Sequence, residues 1–206
     1  MLCARRGTGA RHCPGEVLLP KKSNAADRVV RATASLLASK GYFGTALGDI
    51  IARSETPKGS LYHYFPDGKP EIVGAAIDFV ATEVRAHLEQ AANRAPHARN
   101  ALLGFTATLR GWLEASDYAE SCPIFATTLS IDDELDGVHR RCGAALGGWH
   151  GVFEQALLAD GLAAAVAERR AWLLIAALEG ALGVARVQRS LRPLELIEAE
   201  LLPLLP

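Results

Sequence analysis

Along the chain, hydrophobic positions recur at helical spacing, broken by short polar, Gly- or Pro-bearing stretches. Val29, Val30, Thr33, Leu36 and Leu37 trace one stripe that stops at Lys40 and Gly41, with Asn24 placed to cap it and Asp27 in its first turn. "GYFG" then turns the chain, and a short helix is predicted over 46–53, capped by Thr45 and burying Leu47, Ile50 and Ile51. A third helix opens at Pro57, where the missing N–H costs nothing, and runs to about Phe65, where "PDG" ends it. Ile72, Val73, Ala76, Ile77, Phe79, Val80, Val84 and Leu88 predict a long helix over 69–92. Beyond it come a helix over 96–115, a short one from Pro123, two long ones over about 134–159 and 163–190, and a closing "LELIEAELLPLL". The predicted fold class is all-α.

Composition agrees with that pattern. Half the residues are hydrophobic and only 6% aromatic, with abundant Ala and Leu and few β-branched residues. The 206 residues suffice for one large domain or two small ones. No apolar run approaches the roughly 20 residues of a membrane span, and Arg5 and Arg6 precede no apolar signal stretch. These features predict a cytoplasmic chain with no membrane partner. Cys3, Cys13, Cys122 and Cys142 form no CxxC pair, and Cys3, His12 and Cys13 lack a second ligand pair, so no metal and no cofactor is expected. The acidic "DDELD" from Asp132 to Asp136 reads as the start of a helix.

The net charge of −1 conceals an asymmetry: residues 1–69 carry 11 Lys and Arg against 5 Asp and Glu, and the acidic excess lies behind them. A basic front fits contact with a polyanion at one end only, although a short basic tail on an ordinary globule would look similar. Residues 1–23 are aperiodic and read as a flexible basic tail, a plain extension in preference to an arm that follows a DNA groove.

The densest chemistry lies in "SETPKGSLYHYFPDGK". Two short helices joined by a tight turn form a helix-turn-helix whose second helix is free to enter a major groove. Lys58 adds a cation at the start of that helix, Gly59 keeps the backbone slim, and Ser60 can donate to a phosphate or a base edge. Leu61 and Phe65 face inward, Tyr62 and His63 can donate to the DNA backbone, Lys69 reaches another phosphate, and Thr45 offers a hydroxyl at the opposite end. The competing reading makes Tyr62, Tyr64 and Phe65 core aromatics and His63 a solvated surface residue; Phe65 is assigned to the core, and Tyr64 with it.

"GYFGTALGDIIARSETPKGSLYHYFPDGK" resembles the DNA-binding signature of the tetracycline-repressor (TetR) family of bacterial transcriptional regulators, over roughly residues 24–84. The resemblance implies a three-helix DNA-binding unit joined by a long helix to a helical ligand-binding and dimerisation bundle over 85–206, with Thr45, Lys58, Ser60, Tyr62, His63 and Lys69 touching DNA. One departure is Glu55, which stands where family members usually have Gly in the turn. "SCPIFATTLS" is similar to the branch typified by regulators of lincomycin-type resistance and flavonoid response.

Two features of the rear half come from the residues themselves. Gly143, Gly147, Gly148 and Gly151 on one helix, and Gly180 and Gly183 with Ala176 and Ala177 on the next, form small-residue faces. They predict a four-helix homodimer interface in which the two helices pair with their copies, the alternative being close packing within one subunit. Phe105, Trp112, Phe125, Trp149, Phe153 and Trp172, with Cys122 at a helix start, are candidates to line a pocket for a small lipophilic effector, or simply core. The expected function is a ligand-responsive repressor on a palindromic double-stranded DNA operator. A helical protein-interaction module and an all-α enzyme stay open, but no nucleophile–base pair supports the enzyme.

Overall fold

A computed structural model describes residues 25–131 and 135–206. The 1–23 tail, the Asn24 cap, Cys3, His12 and Cys13, and the first three residues of the acidic run lie outside the described residues. The described residues fold into α-helices and turns, without a strand. In order these are α1 (Ala25–Gly44), α2 (Leu47–Ser54), α3 (Lys58–Tyr64), α4 (Lys69–Ala92), α5 (His97–Ala115), α6 (Pro123–Thr128), α7 (Asp136–Ala159), α8 (Ala164–Gln188) and α9 (Arg192–Leu201).

Two hydrophobic clusters organise them. The smaller joins Val29 and Leu36 of α1, Ile50 of α2, Leu61 and Phe65 of α3, and Ile72 at the start of α4. The larger runs from Ala34 and Leu37 of α1 along α4 and through α5 to α9. Helices α1 and α4 therefore serve both clusters, and α4 crosses from one to the other without a break.

The "GYFG" turn appears as a kink inside α1. Gly41 takes φ 67°, a left-handed conformation that suits glycine, and a Cβ there would lie 3.0 Å from the Ser130 hydroxyl oxygen. That hydroxyl accepts the Tyr42 N–H at 2.9 Å, so the end of α6 clamps the end of α1. The loop before α6 adds to this clamp, because the Ser121 N–H and hydroxyl both donate to the Ala38 carbonyl, at 3.0 and 3.2 Å.

A Cβ at Gly143, Gly147, Gly148, Gly151, Gly180 or Gly183 would meet nothing within 4 Å, so close packing of these faces inside one subunit is not what the fold uses them for. Exposed Trp172, Leu173, Val184 and Val187 accompany the glycines on α8. By length and composition α8 is apolar enough to cross a membrane, which the run-length reading missed; here its other side packs on α7 and α9 through Leu174, Leu178 and Leu182.

Candidate nucleic-acid interface

Alternation of inward apolar and outward polar groups sets the face of α3. At about 100° per residue, Leu61 and Phe65 share one direction, and Gly59 and His63 point away from it. Leu61 and Phe65 are buried, while Lys58, Gly59, Tyr62 and His63 are exposed and Ser60 is half-buried. A Cβ on Gly59 would meet nothing within 4 Å, so no neighbour among the described residues requires glycine there. Tyr64, expected in the core, is exposed and sets its ring edge-on to His63 at 5.2 Å. It falls roughly a quarter of a turn off the Leu61–Phe65 direction and lies outside the small cluster.

Lys69, in the first turn of α4, is half-buried with its ammonium over the Tyr42 ring at 4.1 Å, and that burial lowers its pKa. Tyr62 leans over the preceding residue: its ring carbon lies 3.7 Å from where a Gly68 Cβ would stand. The structure thus brings Tyr62 and Lys69 to one edge, beside the exposed side of α3.

The turn between α2 and α3 is pinned from behind. The Arg28 guanidinium donates to the Ser54 carbonyl at 3.1 Å and to the Thr56 hydroxyl at 3.5 Å. Glu55 holds the left-handed conformation, φ 51° and ψ 34°, that glycine would occupy more easily. Its side chain is exposed on the rim of the turn.

Thr45 is where the sequence reading fails. It is fully buried and its hydroxyl donates to the Gly41 carbonyl at 2.8 Å, while Ala46 takes the cap position of α2 without a side-chain bond. A hydroxyl satisfied and enclosed in this way has nothing to offer a duplex; it secures the kinked end of α1.

The rear half departs further from expectation. Phe105, Trp149 and Phe153 pack on one another, with Phe105 5.9 Å from the Trp149 ring and 6.1 Å from Phe153, and all three are buried in the main core. The Trp149 N–H is satisfied by the Ala81 carbonyl at 3.2 Å. Phe125 packs against the same core, and Trp172 is exposed, stacked on His150 at 4.3 Å. Cys122 is buried in the core and does not line the cavity between α1 and α4, and its burial and the nearby Glu179 carboxyl push the thiol well above its usual range. Glu179 is itself buried with neither oxygen hydrogen-bonded; the adjacent thiol is too weak a donor to satisfy it, and burial lifts its pKa to about 7.

Of the seven aromatic and thiol candidates, Trp112 alone lines the cavity of about 500 Å³ between α1, α4, the end of α5 and the loop before α6; two other clefts of similar size, one beside α7 and one between α4 and α5, are lined by none of the seven. Arg31, Phe79, Glu83, His87 and Glu120 line the first of these as well. The Arg31 guanidinium stands over the Phe79 ring at 4.5 Å, and its Nε is buried without a hydrogen-bond partner. The Ser35 hydroxyl donates to Glu120, which also lies 3.7 Å from the Arg53 guanidinium of α2. The sequence reading placed Phe79 only in the apolar stripe of α4 and gave Arg31, Glu83, His87 and Glu120 no binding role; Arg31 escaped because α1 buries a second face through the small Ala34 and Ala38, which a search for bulky stripes overlooks.

Comparison with known proteins agrees with this architecture. Residues 29–76 match the family described as bacterial regulatory proteins, tetR family, and residues 98–200 match the description transcriptional regulator LmrA/YxaF-like, C-terminal domain. The HTH-type transcriptional regulator Rv0196 of Mycobacterium tuberculosis is 33% identical over 184 residues, covering 87% of this chain and 93% of its own. A TetR transcriptional regulator from Legionella pneumophila superposes with TM-score 0.81 at 18% identity, covering 91% of this chain and all of its own. The TetR-family regulator CifR, crystallised with 26-base-pair operator DNA, superposes with TM-score 0.75 at 19% identity over 87% of this chain and 96% of its own. The likeness to these two structures concerns the fold. Helix-turn-helix, bridging α4 and matched rear domain together place the chain in the TetR family of DNA-binding transcriptional regulators, in the branch with an LmrA/YxaF-like C-terminal domain.

Proposed function

We propose that the chain is a homodimeric, ligand-responsive repressor of the cytoplasm, released from a palindromic operator when a small lipophilic or aromatic effector binds. In this reading residues 24–84 are the DNA-binding unit and 85–206 the effector and dimerisation unit. Lys58, Gly59, Ser60, Tyr62, His63 and Lys69 meet the duplex, mostly at phosphates. The observation that carries this is the exposed polar side of α3, with Tyr62 and Lys69 gathered at its edge while Leu61 and Phe65 anchor it. The operator-bound state of CifR supports the same use of the fold.

The open glycine faces of α7 and α8, bordered by exposed Trp172, Leu173, Val184 and Val187, suit a second copy of the chain better than water. Two recognition helices would then sit about 34–36 Å apart, one turn of DNA. Effector binding acts through α4, which joins the cavity to Lys69. Fully reversing a 1:99 population requires about 5.5 kcal/mol of differential affinity.

An electrophoretic shift with the DNA flanking the chain's own gene tests the reading. Binding that falls steeply with salt supports it; no shift of any flanking fragment by a folded dimer overturns it.

A further inference from the structure

We propose that the cavity between α1, α4, α5 and the loop before α6 binds planar aromatic acids, with the ring against Phe79 and Trp112 and the carboxylate received by Arg31. The inference rests on the effector reading above and names the chemistry of that site. A volume of about 500 Å³ holds a molecule of two or three fused rings. Two aromatic walls supply the apolar contact.

The polar demand comes from Arg31. Its guanidinium is charged at every physiological pH, yet its Nε is buried and unpartnered while the group stacks on Phe79. A buried cationic donor without an acceptor is unfavourable, and a carboxylate is the acceptor whose shape and charge best match a guanidinium, which has to turn its enclosed Nε toward the cavity to receive one. The two acidic residues of the lining do not fill this role. Glu120 is occupied by the Ser35 hydroxyl and faces Arg53, and Glu83 is exposed at the rim. Their charges instead favour a ligand with one carboxylate over a dianion.

The site also has a route to the DNA-binding unit. Arg31 and Ser35 lie on α1, Arg53 lies on α2, and both helices are tied to Glu120. A ligand seated against Arg31 lies between α1 and the loop that clamps it, so its binding bears on the Ser35–Glu120 and Ser121–Ala38 bonds directly.

Calorimetric titration of the full chain with naphthoate and with the neutral naphthylmethanol tests the proposal. Naphthoate should bind at least tenfold more tightly, and Arg31→Gln should bring the two within about twofold. Arg31→Lys, which keeps the charge without the fork, should fall between. Equal affinities in the native chain overturn the proposal, as does a preference that survives Arg31→Gln or an absence of naphthoate binding at millimolar concentration. If Arg31→Gln does not fold, the comparison of the two ligands on the native chain still decides. A chain that shifts operator DNA but ignores naphthoate sinks this ligand class and leaves the repressor reading intact; one that binds naphthoate without any change on DNA supports the site and sinks its effector role.

Discussion

Glu55 occupies a left-handed position that costs an L-residue about 1–2 kcal/mol, and its carboxylate stands on the rim of the DNA-facing turn. Glycine there relieves the strain but gives back about 0.5–1 kcal/mol of chain entropy. Glu55→Gly is therefore expected to raise stability by about 0.5–1 kcal/mol in urea unfolding. It should also tighten operator binding. Glu55→Gln, which removes charge but not strain, should reproduce the second effect without the first. Glu179 makes a pH-dependent prediction. Its folded pKa of about 7 exceeds the usual 4.5, so its contribution is neutral below pH 4.5 and turns unfavourable as pH rises toward 7. At pH 8 the penalty amounts to about 3 kcal/mol. Glu179→Gln should remove that slope in urea midpoints compared at about pH 5 and about pH 8; identical pH dependence in the two chains would contradict it. At this scale the sequence told side-chain chemistry but not direction. Lys58, Tyr62 and His63 are exposed as their types and spacing on α3 suggested, whereas Thr45 and Cys122 carry functional groups that the fold encloses.

Helix positions were the most legible feature, because each depends on a local signal. Pro57 and Pro123 mark starts, Gly41 marks a kink, and α4 begins at Lys69 as the pattern predicts. What the pattern could not supply is which helix lies against which. Phe105, Trp149 and Phe153 have the composition of a pocket lining, but three long helices close around them and leave no space. Phe153→Ala should accordingly cost about 3–5 kcal/mol of stability. In the fraction that folds, affinity for aromatic acids should hold. The glycine faces make the opposite prediction, since they border open space. Gly147→Leu should leave the thermal unfolding of a subunit nearly unchanged while shifting sedimentation from dimer to monomer. A variant that stays dimeric would move the interface elsewhere.

For the whole molecule, the two clusters describe one device. The small core carries exposed Lys58, Tyr62 and His63, α4 runs from that core into the larger one, and the cavity opens where α1 meets the rear half. The end of α1 is bonded to the turn after α6 by the Tyr42 N–H and the Ser130 hydroxyl, and to the loop before α6, which lines the cavity, by Ser121 and the Ala38 carbonyl. In the proposed complex the exposed side of α3 and the start of α4 grip a duplex. Operator affinity of the native chain is compared with that of the double variant Tyr62→Ala, Lys69→Ala, both checked for native helicity and the same oligomeric state. A loss of at least about a hundredfold, with a shallower salt slope, is expected; unchanged affinity and slope in a well-folded double variant would rule this grip out.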